Sequence, residues 1–303
     1  MTRDDGTLDP VYLHGAARDV WTALDGSATE LATAGLSATI ELIARVIRHI
    51  EVTPPVEAMS HLSGAPAMSG FRAAADRAAP ELRAARDLRY TLLDDVPVAT
   101  LISGHALSAS GVLGDVAKSG YLPVADQCAG FATGGLLMNS FEAGDPVVVT
   151  GPDAPDLDGG DDPWAWHPMD LLPRHGMRRR RRVDVYDDGP DRVGVDAIFR
   201  DTYVRTDGVE TIIHEYTLEA AVDPATGVIL ESHATPRVLP WRECPAAVAS
   251  AERIVGMTLP DLHFRVRQEL FGTTTCTHLN DLLRSVADAE ALIALVRDSR
   301  ADR

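Results

Sequence analysis

Positive charge is scarce in this chain. Its 303 residues hold 28 Lys and Arg against 45 Asp and Glu, a formal net charge of −17. A phosphate backbone is gripped through a basic face, so nucleic acid is not an expected partner. Aromatic residues make up only 5% of the chain although 45% is hydrophobic, so the core must be built mostly from Ala, Val, Leu and Ile. Cysteine is nearly absent: only Cys128, Cys244 and Cys276 occur. A small, odd number argues against a disulfide framework and for reduced thiols, hence for a cytoplasmic location. No stretch approaches the roughly 18 apolar residues of a membrane span, and Met1-Thr2-Arg3-Asp4-Asp5-Gly6 lacks the apolar segment of a secretory signal. No membrane partner is expected. The glycine patterns that cradle nucleotides are missing as well, which sets aside dehydrogenase and kinase chemistry.

What the chain does have is an internal repeat. Shifted by 182 residues, 5–54 falls on 187–236 without a gap. Arg18-Asp19 then matches Arg200-Asp201, Asp25-Gly26 matches Asp207-Gly208, Leu36 matches Leu218, Val46-Ile47 matches Val228-Ile229 and Thr53-Pro54 matches Thr235-Pro236. After an insertion in the second copy, expected around 237–246, Gly64 and Phe71-Arg72 align with Gly256 and Phe264-Arg265. Further on, Thr91-Leu92-Leu93-Asp94-Asp95 aligns with Thr277-His278-Leu279-Asn280-Asp281. An ordered series of matches at one offset is the signature of duplication.

The second copy shows what the unit is. Val193, Val195, Ala197 and Phe199 alternate with polar or small residues, the period of a half-buried strand. Asp207-Gly208 is a turn signal; Ile212, His214, Tyr216, Leu218, Ala220 and Val222 then share one face of a second strand, and 228–234 forms a third, ended by Pro236. Helices are expected near 245–255, over 261–271 and from Thr277 onward, with Thr277 as the cap. The fold class is therefore α+β: two pseudo-repeated units, each an antiparallel meander followed by helices, packed about a pseudo-twofold. The domains read as 1–140, a degenerate N-terminal repeat; 141–177, a linker or lid rich in Gly, Pro and Asp; and 178–303, the C-terminal repeat. Trp164 and Trp166 suggest that the end of the linker packs against something, with a cavity between the halves as the expected place. The basic run Arg178–Arg182 reads either as internal ion pairing or, through Arg180 and Arg182, as a site for an anionic group of a substrate.

Duplication also supplies a control. Where the second copy has His214, Cys276 and His278, the first has Ala32, Tyr90 and Leu92, while Cys244 lies in the insertion. Residues the unit needs to fold should persist in both copies; residues of one site need persist in only one. By this logic His214, Cys244, Cys276 and His278 are functional, and Asp201 and Asp281, matched by Asp19 and Asp95, are structural. Cys276 would be nucleophile or acid, lowered in pKa by the helix end, with His214 or His278 as general base and Asp196 as a weaker catalytic candidate.

These elements resemble a known family. Arg180-Arg181-Arg182-Val183-Asp184, Asp196-Ala197, Arg200-Asp201-Thr202, Ile213-His214-Glu215-Tyr216, Cys244-Pro245 and Cys276-Thr277-His278-Leu279 are similar to bacterial proteins grouped as domain-of-unknown-function family 2889, over about 180–295. The N-terminal copy departs from the pattern at every Cys and His. The resemblance implies no activity. Three functions follow from the residues themselves. One is a cofactor-independent enzyme for a small molecule, of isomerase, lyase, cyclase or hydrolase type, using Cys276, His278, His214 and Asp196. The second is a Zn²⁺ site made by Cys244, Cys276, His214 and His278, a tetrahedral set by residue type though not by finger spacing. The third is a non-catalytic ligand-binding or accessory module. Substrate, reaction and oligomeric state are open, a homo-oligomer included.

Overall fold

A computed structural model describes residues 1–4, 6–112, 123–145, 147–157 and 162–301. The expected linker residues Pro146 and Asp158–Asp161 therefore lie outside the described residues. The chain forms two compact units. One comprises Met1–Leu113, Ala154–Arg178 and Tyr203–Glu210; the other comprises Gly114–Asp153, Arg179–Thr202 and Thr211–Arg303.

Each copy of the repeat builds a four-stranded antiparallel sheet with its strands in chain order, followed by helices, so the chain is an α+β protein of two similar units. The first sheet contains β1 (Thr2–Arg3), β2 (Val11–Thr22), β3 (Ala28–Glu41) and β4 (Val46–Thr53). Helices α1 (Phe71–Ala78), α2 (Pro80–Ala84) and α3 (Leu88–Ala109) follow it, and α3 packs on β2 and β3. A short helix, α4 (Leu136–Glu142), precedes the second sheet. That sheet contains β5 (Met177–Asp187), β6 (Val193–Val204), β7 (Glu210–Val222) and β8 (Ile229–Val238). A 3₁₀ segment Cys244–Ile254, then α5 (Leu259–Glu269), α6 (Thr277–Ser285) and α7 (Ala289–Ala301) complete it. Among the described residues no helix is long and apolar enough to cross a membrane.

Matching backbone hydrogen bonds carry the repeat beyond the ungapped block. Gly64 N–H donates to Ile47 O at 2.7 Å, and Gly256 N–H to Ile229 O at 2.8 Å. Ala67 N–H donates to Arg45 O, and Leu259 N–H to Gly227 O. Both glycines sit at positive φ, +79° and +81°, which an L side chain would strain. The offset has grown from 182 to 192 residues, so the insertion holds about ten residues. The pairing of Phe71 with Phe264 does not survive: Phe71 is buried and Phe264 is 62% exposed. At the 192-residue offset the buried counterpart of Phe71 is His263.

Two expected local structures differ. Residues 244–254 wind as 3₁₀ rather than α-helix, opening on Cys244-Pro245. The cap position of α6 is Cys276, with Thr277 the first helical residue. The described part of the linker is ordered at both ends. Ile212 N–H donates to Pro152 O and Ala154 N–H to Glu210 O, so 151–154 runs beside the start of β7 as an extra strand would. At the other end Arg18 donates to the carbonyls of Trp164 and Trp166 at 2.7 and 2.9 Å and lies over the Trp164 ring.

Candidate functional site

Strand parity aims the site. On β7, His214, Tyr216 and Leu218 turn to the helix-covered face and are all buried; Glu215, between them, turns away and pairs with Arg200 of β6. Phe199 of β6 projects on the same side as His214, with ring centroids 5.6 Å apart. Helix α6 then delivers Cys276 from its cap position and His278 from its first turn. His214 Nε2 lies 3.7 Å from Cys276 Sγ, and the two imidazole centroids are 4.3 Å apart. One ligand atom from each of His214, Cys276 and His278 falls within 4.8 Å of the others. All three residues belong to the second unit.

Burial sets their charge. It pushes the Cys276 thiol well above the usual thiol range, and its neighbours Cys128 and Cys244 add to the shift. The N–H groups of Leu279 and His278 at the start of α6 act in the opposite sense and are outweighed. The helix end therefore does not yield the activated thiolate that the sequence led us to consider. Burial likewise holds His214 well below the ordinary imidazole value, helped by His278, and lowers His278 to about 3, helped by Arg179. At neutral pH the cluster is a neutral thiol and two neutral imidazoles, each imidazole with one ring nitrogen able to accept.

The other candidates are placed as follows. Cys244 is buried at the head of the 3₁₀ segment, its thiol pushed up to about 12 chiefly by burial. It is not in the group of donors drawn within 4.8 Å. A Cβ on Gly130 would stand 3.1 Å from its sulfur and 2.8 Å from the Trp241 ring, so the glycine lets this segment close up. Asp196 has the opposite parity from Phe199; it is exposed and accepts a hydrogen bond from Tyr186 Oη at 3.3 Å, away from the cluster. Arg182 pairs with Asp184, and Arg180 shares its strand parity. The member of the basic run that reaches the cluster is Arg179.

Sequence reasoning missed the groups around the three. Arg179 makes a two-pronged ion pair with Asp201 at 2.7 and 2.9 Å, donates to Asp281 at 3.1 Å, and lays its guanidinium over Phe199. Asp201 Oδ2 is 3.8 Å from His278 Nε2. Tyr216 is fully buried, with its hydroxyl against the Cys276 sulfur. Persistence in the first copy had marked Asp201 as structural, but its counterpart Asp19 is only half-buried. The available signal was parity: Arg179 and Asp201 sit at inward positions of adjacent strands, where an unpaired charge would be costly.

Residues 177–292 match the family model described as protein of unknown function (DUF2889). Neither the comparison with curated proteins nor that with solved structures finds a match. The matched segment contains every residue of the cluster and its surroundings named above except Cys128 and Gly130, and leaves out the first sheet with its Ala32, Tyr90 and Leu92.

Proposed function

We propose that the protein binds one transition-metal ion of the zinc class through His214, Cys276 and His278 and uses its open coordination position on a small molecule. The observation that carries this reading is the spacing of the Cys276 and His214 donors, with a His278 donor within 4.8 Å of both. In a tetrahedral zinc site with Zn–S of about 2.3 Å and Zn–N of about 2.05 Å, sulfur and nitrogen are about 3.6 Å apart; Cys276 Sγ and His214 Nε2 are separated by 3.7 Å. The charge states agree. Neutral imidazoles are the ligating form, and a thiol that burial keeps protonated is deprotonated outright once a divalent ion lies beside it. Three protein ligands are the count of catalytic zinc sites, structural ones being closed by four. A thiolate and two imidazoles leave a divalent ion with net positive charge, which polarises a bound water or a substrate oxygen for hydrolase- or lyase-type chemistry. His278 is the least buried of the three and marks the side of access.

The metal-free reading, Cys276 as nucleophile with His214 as base, is supported by the same 3.7 Å contact. It requires a thiolate–imidazolium pair, and burial opposes both charges. Elemental analysis of purified protein, before and after dialysis against Zn²⁺, separates the two. About one equivalent per chain is expected, lost in His214→Ala, Cys276→Ala and His278→Ala variants whose circular dichroism is unchanged. Protein that takes up no ion under these conditions overturns the metal reading.

A further inference from the structure

We infer that Asp201 is a positioning residue for His278: it accepts the Nε2 proton of that ring and so commits Nδ1 to the ion. This rests on the metal reading above and concerns which atom of the ring ligates. A neutral imidazole carries one N–H and one lone pair, so whatever holds the proton on one nitrogen assigns the other as ligand. His278 Nε2 lies 3.8 Å from Oδ2 of the Asp201 carboxylate. That is longer than a hydrogen bond; drawing the ring toward the carboxylate as the ion binds completes it. His214 shows the other choice, with its Nε2 turned to Cys276. The two histidines would then ligate through different ring atoms.

Asp201 is built to stay where it is. It is buried to 1% exposure and clamped by Arg179 through both oxygens. Arg179 is held in turn by Asp281, and Asp281 accepts from Arg284. Two guanidinium groups and two carboxylates balance in formal charge, so the network has no unmatched charge of its own. A carboxylate has lone pairs for about four donors, and Arg179 leaves room on Oδ2 for the imidazole N–H. Carboxylate–histidine–metal arrangements of this kind fix the tautomer of a ligand and raise its basicity.

The test uses the full chain labelled with nitrogen-15 in its histidines and loaded with cadmium-113. Direct cadmium–nitrogen coupling should appear on Nδ1 of His278 and Nε2 of His214. Coupling to Nε2 of His278, or to His214 and no nitrogen of His278, overturns the inference while leaving an ion bound. If no cadmium binds at all, the metal reading fails and this inference goes with it. A second arm compares variants. Asp201→Ala should weaken cadmium binding about 10–100-fold, and Asp201→Asn, whose carbonyl still accepts from Nε2–H, should recover most of that loss. Equal loss in both means that Asp201 serves only as the counter-ion of Arg179. If both variants unfold, the coupling in the unaltered protein decides alone.

Discussion

Cys276 is a residue on which two effects of opposite sign meet. A helix start lowers a thiol's pKa, burial raises it, and here the sulfur is too deeply enclosed for the first to prevail. Cys128 and Cys244 are buried as well, and burial raises both. None of the three should therefore react with a thiol-directed disulfide reagent while the chain is folded. Added denaturant should expose them in step with loss of structure; rapid, stoichiometric labelling of Cys276 in native protein would show that the site opens or that its thiolate is populated. The aligned residue in the first copy has a different task. Tyr90 is buried in the core and donates from its hydroxyl to Asp76 at 2.6 Å. Tyr90→Ala should cost about 3–5 kcal/mol of stability, read as a shift in the urea midpoint. Cys276→Ala removes a single sulfur atom and should cost much less. Equal costs would contradict the division of labour between the copies.

At the level of elements, 151–154 is held against the start of β7. A Cβ at Gly151 would come within 1.6 Å of the Ile212 carbonyl oxygen, a backbone atom that cannot swing aside. Gly151→Ala should therefore break the hydrogen bond from Ile212 to Pro152 and cost about 1–3 kcal/mol or more. Hydrogen exchange should register it as lost protection at Ile212 and Ala154, with β8 unaffected. Little of this contact was visible in the residues alone, since Gly-Pro-Asp composition reads as a linker whether or not it pairs. The meander was legible because its strands alternate cleanly and its turns carry Asp-Gly and Thr-Gly. The strands β2 and β6 begin and end at residues related by the 182-residue offset. By contrast β5 was hidden by its run of arginines, which masks a period of two that becomes plain once Arg179 is seen inside and Arg182 on the other face. The Cys/His convergence was legible too, from the parity of His214 and the start of α6. Its surroundings were not: a duplicated aspartate gives no hint that one copy orients a histidine and the other does not.

The whole molecule carries a net charge of −17 and an isoelectric point near 4.9. Acidification from pH 7 toward 5 relieves self-repulsion, which by itself would raise stability. The buried histidines act the other way. Burial lowers His278 to about 3 and His105 to about 4, and holds His214 well below its ordinary value. The unfolded chain binds protons at these positions as pH falls through about 6.5, while the folded chain resists them. Their contribution is thus fully present above about pH 6.5 and is lost as pH falls toward the folded values. Each imidazole still neutral in the fold removes about 1.4 kcal/mol per pH unit below that point. Three of them outweigh a diffuse repulsion that salt screens, so the urea midpoint, measured with a chelator present, should fall steadily between pH 7 and 5. His105→Leu, outside the metal cluster, should flatten that slope by about one proton's worth. A midpoint that instead rises toward the isoelectric point would show that the imidazoles take up protons without leaving the fold, and with that the neutral, ligand-ready state assigned to His214 and His278 would be lost.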